Sequence, residues 1–426
     1  MRDGAASASA ARVHRRAVLA GGAACLTGCG RKSGARAGRL VLKHQPMWGD
    51  PAPFREVLDA FRRANPGIEL VTEALPNSSD AAHQFYLTAL EGGAADFDVF
   101  VVDIVWVAEL ARAGWALDLS GAFPPDEIRR DFLDGAAEAV IQDGRTFGVP
   151  WYVDVGVLYR RTDWVASAPR TLDELVAQAS AVMKREGVAG LVWQGRQYEG
   201  LVCNAYEAIW AHGGETLRDG RLALDTPAAL EALSYLRGLL TSGVSPRSVL
   251  SMAEEESRRA FQAGQSAFMR NWPYALAEAE KPASPIRGKV AISPLPTTSG
   301  EPGAGALGGF DFAVNANAPE ANRPAAMALI RHLTSLDTSR VLAAAYGRSP
   351  ARRAAYEDAE LARGAPRVAA LRPALERAKP RPVTPFYPML SDVLQSELSA
   401  IVAGIRAPAV ALARAQASAD RIMGSL

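Results

Sequence analysis

A run of four apolar residues lies between Asp98 and Asp103. Such an unbroken run is typical of a strand that is covered on both faces, because a strand with one exposed face carries a polar residue at every second position. Further strands are predicted at residues 40–44 and 68–74, and the helix between them has its apolar residues on one face. Strands that alternate with helices predict an α/β fold with a mostly parallel sheet and helices on both sides.

The alternation continues along the rest of the chain. Thr171 and Glu174 form a capping box, which predicts a helix that ends at Glu186. Residues 294–309 are rich in Pro and Gly and are typical of a segment that crosses between two bodies. We therefore predict two α/β lobes, with the chain crossing between them more than once. The other predicted strands are 190–194, 266–270, 289–295 and 310–315, and the other predicted helices are 104–113, 198–212, 226–240, 319–335, 337–346, 360–379, 386–403 and 407–423.

The first 29 residues predict export from the cytoplasm. Arg15 and Arg16 precede an apolar stretch of about 12 residues, which is too short to cross roughly 30 Å of hydrocarbon and is typical of a signal peptide. The stretch ends in Leu-Thr-Gly before Cys29, which resembles a bacterial lipobox and would make an acylated Cys29 the mature N-terminus. The paired arginines also resemble a twin-arginine export signal. The alternative is an ordinary cleaved signal in which Cys29 has no role.

Charge and cysteine content exclude several classes of function. The chain carries a formal net charge of +1, and removal of residues 1–28 takes away four Arg and one Asp and leaves −2. A balance so near zero argues against nucleic acid or another polyanion as a partner. Cys25 lies in the predicted signal peptide and Cys29 is the predicted lipid site, so Cys203 has no partner for a disulfide. The histidines lack the spacing of metal ligands, and we expect no bound metal.

Several segments are similar to one protein family. Residues 149–159 (Val-Pro-Trp-Tyr-Val-Asp-Val-Gly-Val-Leu-Tyr) and 261–273, which end in Met-Arg-Asn-Trp-Pro, resemble segments of the family 1 extracellular solute-binding proteins of ABC importers. Residues 191–201, 308–310 and 381–384 resemble the trehalose- and maltose-binding branch of that family. The resemblance extends over essentially all of the chain after Arg39.

The resemblance implies a type II periplasmic-binding-protein-like fold, in which two α/β lobes are joined by a multi-segment hinge with a ligand cleft between them. It implies a monomer without enzyme activity or cofactor that acts outside the cytoplasm, where the lipobox-like sequence before Cys29 would anchor it by lipid to the cell membrane. Such a protein binds a di- or oligosaccharide of the trehalose or maltose type by lobe closure and delivers it to a membrane permease. The chain lacks a phosphate-binding P-loop motif, which agrees with an ATPase in another subunit.

The expected domain organisation follows from the resemblance and from the element pattern. The predicted segments are a signal peptide at 1–28, a lipid-anchored tether at 29–38, an N-terminal lobe from 39–148 and 304–350, and a C-terminal lobe from 149–303 and 351–426. The hinge is expected near 149–155, 303–309 and 347–351.

A sugar-binding cleft needs groups that match hydroxyls and weakly polar ring faces. Carboxylates accept hydrogen bonds from hydroxyls, amides and Arg donate them, and an aromatic ring covers a sugar face. Trp272 follows the predicted strand 266–270, where its ring would project into the cleft; the alternative is a core tryptophan. Asp103 ends a strand, where ligands of open α/β sheets bind, although it could instead cap a helix. Tyr152 and Asp154 share one strand face and contact either the ligand or the opposite lobe.

The resemblance adds further positions to this set. Arg381 lies between two prolines in a non-helical stretch, and Gly309 allows close approach of its backbone. The candidate ligand-binding residues are Trp272, Asp103, Tyr152, Asp154, Arg381, Gly309, Phe310, Gln45, Asp50, Gln197 and Glu199, with Trp48 as a weaker candidate.

Two alternatives to a sugar-binding protein remain open from the sequence. A glycoside-processing enzyme on the same scaffold would need two carboxyl groups at a defined separation across the scissile bond. A binding protein for another solute, such as glycerol phosphate, would need clustered basic residues or a helix N-terminus in the cleft. Among the candidate residues only Arg381 is basic, which favours a neutral oligosaccharide.

Overall fold

The computed structural model describes residues 38–47, 49–76 and 79–424. The predicted signal peptide, the lipid site at Cys29, most of the predicted tether and Trp48 lie outside the described residues. None of the described helices combines the length and the hydrophobicity of a transmembrane span.

The described residues form strands and helices in alternation. The strands are β1 (Arg39–His44), β2 (Glu69–Ala74), β3 (Val99–Asp103), β4 (Ile141–Gln142), β5 (Arg145–Thr146), β6 (Val149–Val155), β7 (Val157–Arg161), β8 (Ala189–Val192), β9 (Leu217–Arg218), β10 (Arg221–Leu222), β11 (Ser266–Asn271), β12 (Val290–Ser293), β13 (Leu307–Val314) and β14 (Ser349–Pro350). The α-helices are α1 (Ala52–Ala64), α2 (Ser79–Glu91), α3 (Val107–Arg112), α4 (Pro125–Asp131), α5 (Asp134–Val140), α6 (Leu172–Glu186), α7 (Glu199–Ala211), α8 (Pro227–Thr241), α9 (Glu254–Gln262), α10 (Tyr274–Ala279), α11 (Arg323–Leu333), α12 (Leu336–Tyr346), α13 (Ala359–Gly364), α14 (Pro366–Ala369), α15 (Arg372–Glu376), α16 (Tyr387–Val402) and α17 (Pro408–Met423).

The larger sheet forms the centre of the first lobe. Within the described residues it has six strands, in the order β14-β6-β13-β3-β1-β2. β1 is parallel to β2 and β3, as the alternation predicts. β13 is antiparallel to both of its neighbours, and β14 is antiparallel to β6. The sheet is therefore mixed, and the expectation of a mostly parallel sheet is wrong here, because β13 enters this sheet from the second lobe and not through a helical crossover.

Strand β3 lies inside this sheet, and all five of its residues are buried. The apolar run at 98–103 is therefore covered on both faces, as its sequence predicts. Helices α1, α11 and α12 pack against one another, and α11 and α12 also contact the sheet through β13 and β14. The first lobe is thus a sheet with helices packed on it, and its strand ends meet the second lobe.

The smaller sheet forms the second lobe. Within the described residues it has four strands, in the order β12-β7-β11-β8. α6 and α9 pack on this sheet, and α7, α8, α16 and α17 pack together as a helical layer. The capping box predicted at Thr171 is present at the start of α6, where its hydroxyl accepts from the Glu174 backbone N–H at 3.1 Å.

The chain crosses between the two sheets at Gly156, which separates β6 of the first sheet from β7 of the second. Residues 149–155 thus belong to the first sheet, and the crossing comes later than the predicted boundary at 149. The chain crosses back between β12 and β13, where the Gly156 N–H donates to the Ala306 carbonyl at 3.2 Å.

A third connection between the lobes runs beside the second one. The Leu307 N–H donates to the Lys379 carbonyl at 2.8 Å, and the Lys379 N–H donates to the Gly305 carbonyl at 3.0 Å. The expected third crossing at 347–351 lies elsewhere, because Ser349–Pro350 pairs with β6 inside the first sheet. The hinge therefore contains Gly156, residues 303–307 and the chain that follows Lys379.

The helix predicted at 360–379 is three short helices, α13 to α15. Pro366 and Pro373 each lie in the first turn of a new helix, because proline cannot continue the preceding one. α13 packs on α12 and α15 packs on β6, so this segment covers the first lobe. The change of lobe thus follows residue 379, whereas the predicted boundary is at 351.

Candidate functional site

A cavity of about 390 Å³ lies between the two lobes. The ends of β3, β6 and β13 line it from the first lobe, and the N-terminal turns of α7 and α9 and the residue after β11 line it from the second. Ligand pockets commonly measure roughly 300–1,000 Å³ and lie between lobes or at strand ends. The position and the size of this cavity identify it as the candidate ligand site.

The half-buried ring of Trp272 forms part of the wall that the second lobe contributes. Its indole N–H donates to Glu254 Oε1 at 3.4 Å. The guanidinium of Arg270 lies over the ring, 4.1 Å from its centroid. Gly308 lies against the ring edge, since a Cβ at that glycine would be 3.3 Å from Trp272 Cζ3. The ring is thus held by three neighbours and presents its remaining surface to the cavity.

Arg381 connects the two lobes at the floor of the cavity. Its Nη1 donates to Glu199 Oε1 of α7 at 2.6 Å, and its Nη2 donates to Asp103 Oδ1 at the end of β3 at 3.4 Å. The Glu199 carboxylate also accepts from the hydroxyls of Tyr387, at 2.5 Å, and Ser391 of α16. One guanidinium therefore bridges a carboxylate of each lobe, and its fixed planar donors define the spacing between them.

Asp103 is buried in this network. Burial raises the pKa of its carboxyl, and the charge of Arg381 opposes that shift. Its Oδ1 also accepts from the backbone N–H of Val105 at 3.3 Å, and the N-cap position of α3 is Trp106. Asp103 therefore holds the turn that precedes α3 and lines the cavity. It is not the N-cap residue of α3, so the capping interpretation is wrong, and its contact with a ligand stays a prediction.

A second buried pair, Arg348 and Asp154, also lines the cavity. Arg348 Nη1 contacts Asp154 Oδ2 at 3.4 Å, and the Arg348 guanidinium lies over the rings of Tyr152 at 4.6 Å and Tyr274 at 5.5 Å. Asp154 Oδ1 has no hydrogen-bond partner within the described residues. Burial raises the pKa of Asp154 to about 6. Asp154 lines the cavity, although this unpaired oxygen itself is buried.

The backbone of β13 forms the surface between these two pairs. Gly309 has a φ of 138°, which L side chains rarely adopt, and a Cβ there would lie 2.5 Å from the Tyr152 carbonyl oxygen. Glycine is therefore required for close pairing with β6. A bulge follows between Phe310 and Asp311, and the ring of Phe310 remains half-buried at the cavity.

The structure brings most of the predicted site residues together. Those that line the cavity are Trp272, Asp103, Asp154, Arg381, Gly309, Phe310, Gln45 and Glu199. Tyr152 lies behind Arg348 and does not reach the cavity. Asp50 is exposed and accepts from the Ala52 N–H at 2.9 Å at the start of α1, and Gln197 is exposed outside the cavity. Contact with a ligand stays a prediction for each of these residues.

The sequence did not indicate several residues of the cavity wall. Glu254 begins α9 and accepts the indole hydrogen bond, although acids at a helix start ordinarily suggest only a favourable dipole interaction. Arg348 follows the α12 C-terminus and reaches Asp154 across 194 residues of sequence. Ser79 also lines the cavity, and its hydroxyl contacts Asp103 Oδ2 at 3.4 Å. No local sequence signal marks these long-range contacts.

The chain belongs to the family of bacterial extracellular solute-binding proteins, whose family model matches residues 48–338. A protein of Deinococcus radiodurans named "Probable ABC transporter-binding protein" is 34% identical over 369 residues, which cover 82% of this chain and 86% of that protein. Maltose-bound MalE3 of T. maritima is 35% identical, with a TM-score of 0.85 over 91% of this chain and 100% of that one. The GacH receptor of Streptomyces glaucescens shares the fold, with a TM-score of 0.80 over 91% of this chain and 99% of that one at 20% identity.

These similarities confirm the predicted family and the two-lobe α/β fold. Membership in this family makes the chain a binding protein and not an enzyme. The alternative of a glycoside-processing enzyme is thereby removed. Within the described residues, no group of three or more His, Cys, Asp or Glu side chains could hold a metal ion.

Proposed function

We propose that this chain is the solute receptor of an ABC importer for a di- or oligosaccharide of the maltose or trehalose type. The sugar binds in the cavity between the lobes, stabilises their closed arrangement and is delivered to a membrane permease. The relative with the highest structural similarity given above is a maltose complex, which supports a glucose-containing ligand. The proposal depends chiefly on one observation, which is that Trp272, Asp103, Asp154, Glu199 and Arg381 line a single interlobe cavity.

The chemistry of the wall matches a neutral polyhydroxylated ligand. Trp272 and Phe310 present aromatic surface for the weakly polar faces of sugar rings. Carboxylates at Asp103, Asp154 and Glu254 accept hydrogen bonds from hydroxyls, and these charge-assisted bonds are roughly twice as strong as neutral ones. Because the acids come from both lobes, a sugar that bonds to all of them favours closure by its higher affinity for the closed state.

The charges of the wall argue against a phosphorylated ligand. Six acids line the cavity with four arginines, so its formal charge is −2. Arg381 bridges Glu199 and Asp103, Arg348 pairs with Asp154, and Arg259 pairs with Glu255 at 3.8 Å. The remaining arginine, Arg196, lies over the Tyr198 ring at 4.7 Å. A phosphate would compete with carboxylates for each paired guanidinium, and glycerol phosphate is therefore the less favoured solute.

We also propose that the protein acts at the outer face of the cell membrane, anchored by lipid at Cys29. The sequence around Cys29 supports this proposal, as does membership in an extracellular family. The paired arginines at residues 15 and 16 favour export by the twin-arginine route. We also propose a monomer, as the family resemblance implies.

A ligand screen tests the proposed solute class. The purified protein is heated with trehalose, maltose, sucrose, maltotriose or glycerol 3-phosphate, since a ligand that binds only the folded state raises the unfolding temperature by mass action. We expect at least one neutral glucoside to raise it and glycerol 3-phosphate to have no effect. Stabilisation by the phosphate alone would refute the proposal.

A pair of variants locates the binding site. Asp103→Asn removes a carboxylate from the cavity and should raise the dissociation constant of the sugar at least tenfold. Asp126→Asn makes the same chemical change at a fully exposed side chain of α4 and serves as the control. Equal affinities for the two variants would show that the sugar binds away from Asp103.

A further inference from the structure

We propose that Arg270 and Glu207 are positioning residues that couple the hinge to the ring of Trp272. Neither residue lines the cavity, so their effect on a ligand passes through other groups. The inference rests on the proposed function in one respect, which is that a sugar stacks on Trp272. The coupling between hinge and ring does not require a sugar and can be measured in the free protein.

Arg270 is fixed in position by three bonds and lies against the tryptophan. Its Nε and Nη2 donate to Glu207 Oε2 and Oε1 at 2.8 and 2.5 Å, and its Nη1 donates to Gln194 Oε1 at 3.1 Å. Both side chains of the ion pair are about 95% buried, with exposures of 4% and 5%. A bidentate ion pair fixes the orientation of the guanidinium plane. The Arg270 Cζ atom lies 4.1 Å from the centroid of the Trp272 ring, so the guanidinium supports that ring.

Glu207 joins this pair to the hinge. Its Oε1 accepts from the backbone N–H of Ala306 at 2.9 Å, in the segment where the chain crosses back to the first lobe. It also contacts the other crossing, because a Cβ at Gly156 would lie only 1.8 Å from Glu207 Oε1 and 2.5 Å from Arg270 Nη2. The Gly156 N–H donates to the Ala306 carbonyl. One buried carboxylate therefore touches both neighbouring hinge strands.

This arrangement transmits hinge motion to the ring. Lobe opening changes backbone dihedral angles at a few hinge residues, and Gly156 and Ala306 lie where both crossings change sheets. When the Ala306 N–H moves, its acceptor, the Glu207 carboxylate, moves with it. The bidentate ion pair between Glu207 and Arg270 then displaces the guanidinium that lies against Trp272. The stacking face is thus in its sugar-binding position in one hinge state and displaced in the other.

The chain contains a matched control for this motif. Arg161 at the end of β7 forms the same bidentate pair with Asp163, with N···O distances of 2.9 and 2.7 Å, and its guanidinium lies over the Trp164 ring at 3.7 Å. Neither Arg161 nor Asp163 lines the cavity or bonds to a hinge residue. Glu207→Gln and Asp163→Asn each remove one negative charge from a carboxylate that holds an arginine against a tryptophan ring. Of these two carboxylates, Glu207 also contacts the hinge and Asp163 does not, so a comparison of the two variants tests the hinge contact.

The experiment uses the whole protein labelled with 5-fluorotryptophan. The ¹⁹F line of Trp272 is assigned with Trp272→Phe, and the line of Trp164 with Trp164→Phe. We expect Glu207→Gln to shift the Trp272 line in the free protein, to change the radius of gyration by small-angle scattering, and to raise the dissociation constant of the sugar at least tenfold. Asp163→Asn should shift the Trp164 line alone and leave sugar affinity and radius of gyration unchanged.

If Glu207→Gln does not fold, the conservative variant Arg270→Lys provides a second test. The lysine keeps the positive charge at residue 270 but lacks the planar guanidinium that supports the Trp272 ring. It should likewise shift the Trp272 line and weaken sugar binding. A folded variant of either residue with an unchanged Trp272 line and an unchanged radius of gyration would overturn the proposal and leave the pair a purely structural one. If the unaltered protein binds no sugar, the proposed function fails, while the fluorine and scattering comparisons still decide the coupling.

Discussion

The ionisation of Asp154 should control sugar affinity. Asp154 lines the cavity, and burial raises its pKa to about 6. A carboxylate accepts hydrogen bonds at both oxygens, whereas the protonated group must donate one of them. The ionised form is therefore the one that matches a sugar hydroxyl, and affinity should fall as the pH decreases through about 6.

The size of the effect follows from the pKa. At pH 5, one unit below a pKa of about 6, roughly one tenth of the free protein carries the ionised carboxyl. If the ionised form binds and the protonated form does not, the dissociation constant rises about tenfold between pH 7.5 and pH 5, or about 1.4 kcal/mol. Asp154→Asn should bind weakly at both pH values and lose this dependence, because its amide does not titrate.

Isothermal titration calorimetry at pH 5, 6, 7 and 7.5 measures this profile. The neighbouring charged groups are Arg348, Arg270 and Asp103, and of these only Asp103 is an acid whose protonation could imitate the effect. The Asp103→Asn variant should therefore bind weakly and keep the pH step. A dissociation constant that changes less than twofold across the range, or an Asp154→Asn variant that keeps the step, would refute the reasoning.

Three further predictions follow from the same contacts. Arg381→Lys loses the planar bridge between Asp103 and Glu199 and should weaken sugar binding at least tenfold by calorimetry; wild-type affinity would contradict this. Asp311 is buried without a charged partner among the described residues, and burial raises its pKa well above the usual range. The free energy of unfolding is therefore highest below the pKa that Asp311 has in the unfolded chain. It falls as the pH rises from there through the raised pKa of the folded state. Asp311→Asn should stabilise the protein at pH 7.5 and have little effect at pH 4 in urea unfolding, and equal destabilisation at both pH values would contradict this. Cys29→Ser should move the exported protein from the membrane to the soluble fraction, and unchanged membrane association would remove lipid at this residue from the proposal.

Local sequence signals predicted the elements that present the site. The apolar run at 98–103 gave the position of β3, and with it Asp103 at the cavity, because a strand buried on both faces has a distinct composition. Trp272 and Phe310 are predictable because they lie at or beside strands that the family resemblance also indicates. The prolines at 366 and 373 are a local signal of helix breaks, and they indicate the separate helices α13 to α15.

Contacts between distant segments could not be predicted in this way. Arg348 meets Asp154, and Glu254 meets Trp272, because the packing of whole lobes brings their backbones together. Nothing in the adjacent residues encodes such a pair. The boundary of the first lobe shows the same limit, since the mostly apolar Val149–Val155 would suit either sheet and its pairing with β13 and β14 assigns it to the first.

The proposed binding cleft is tested most directly by calorimetric titration. The sugar identified by the ligand screen is titrated into the unaltered protein and into Trp272→Ala. We predict saturable binding at one site, and a loss of about 1.5–3 kcal/mol in the folded variant from the apolar contact that the ring provides. Equal affinity in the two proteins, or no binding of any neutral glucoside, would contradict a sugar site between these lobes.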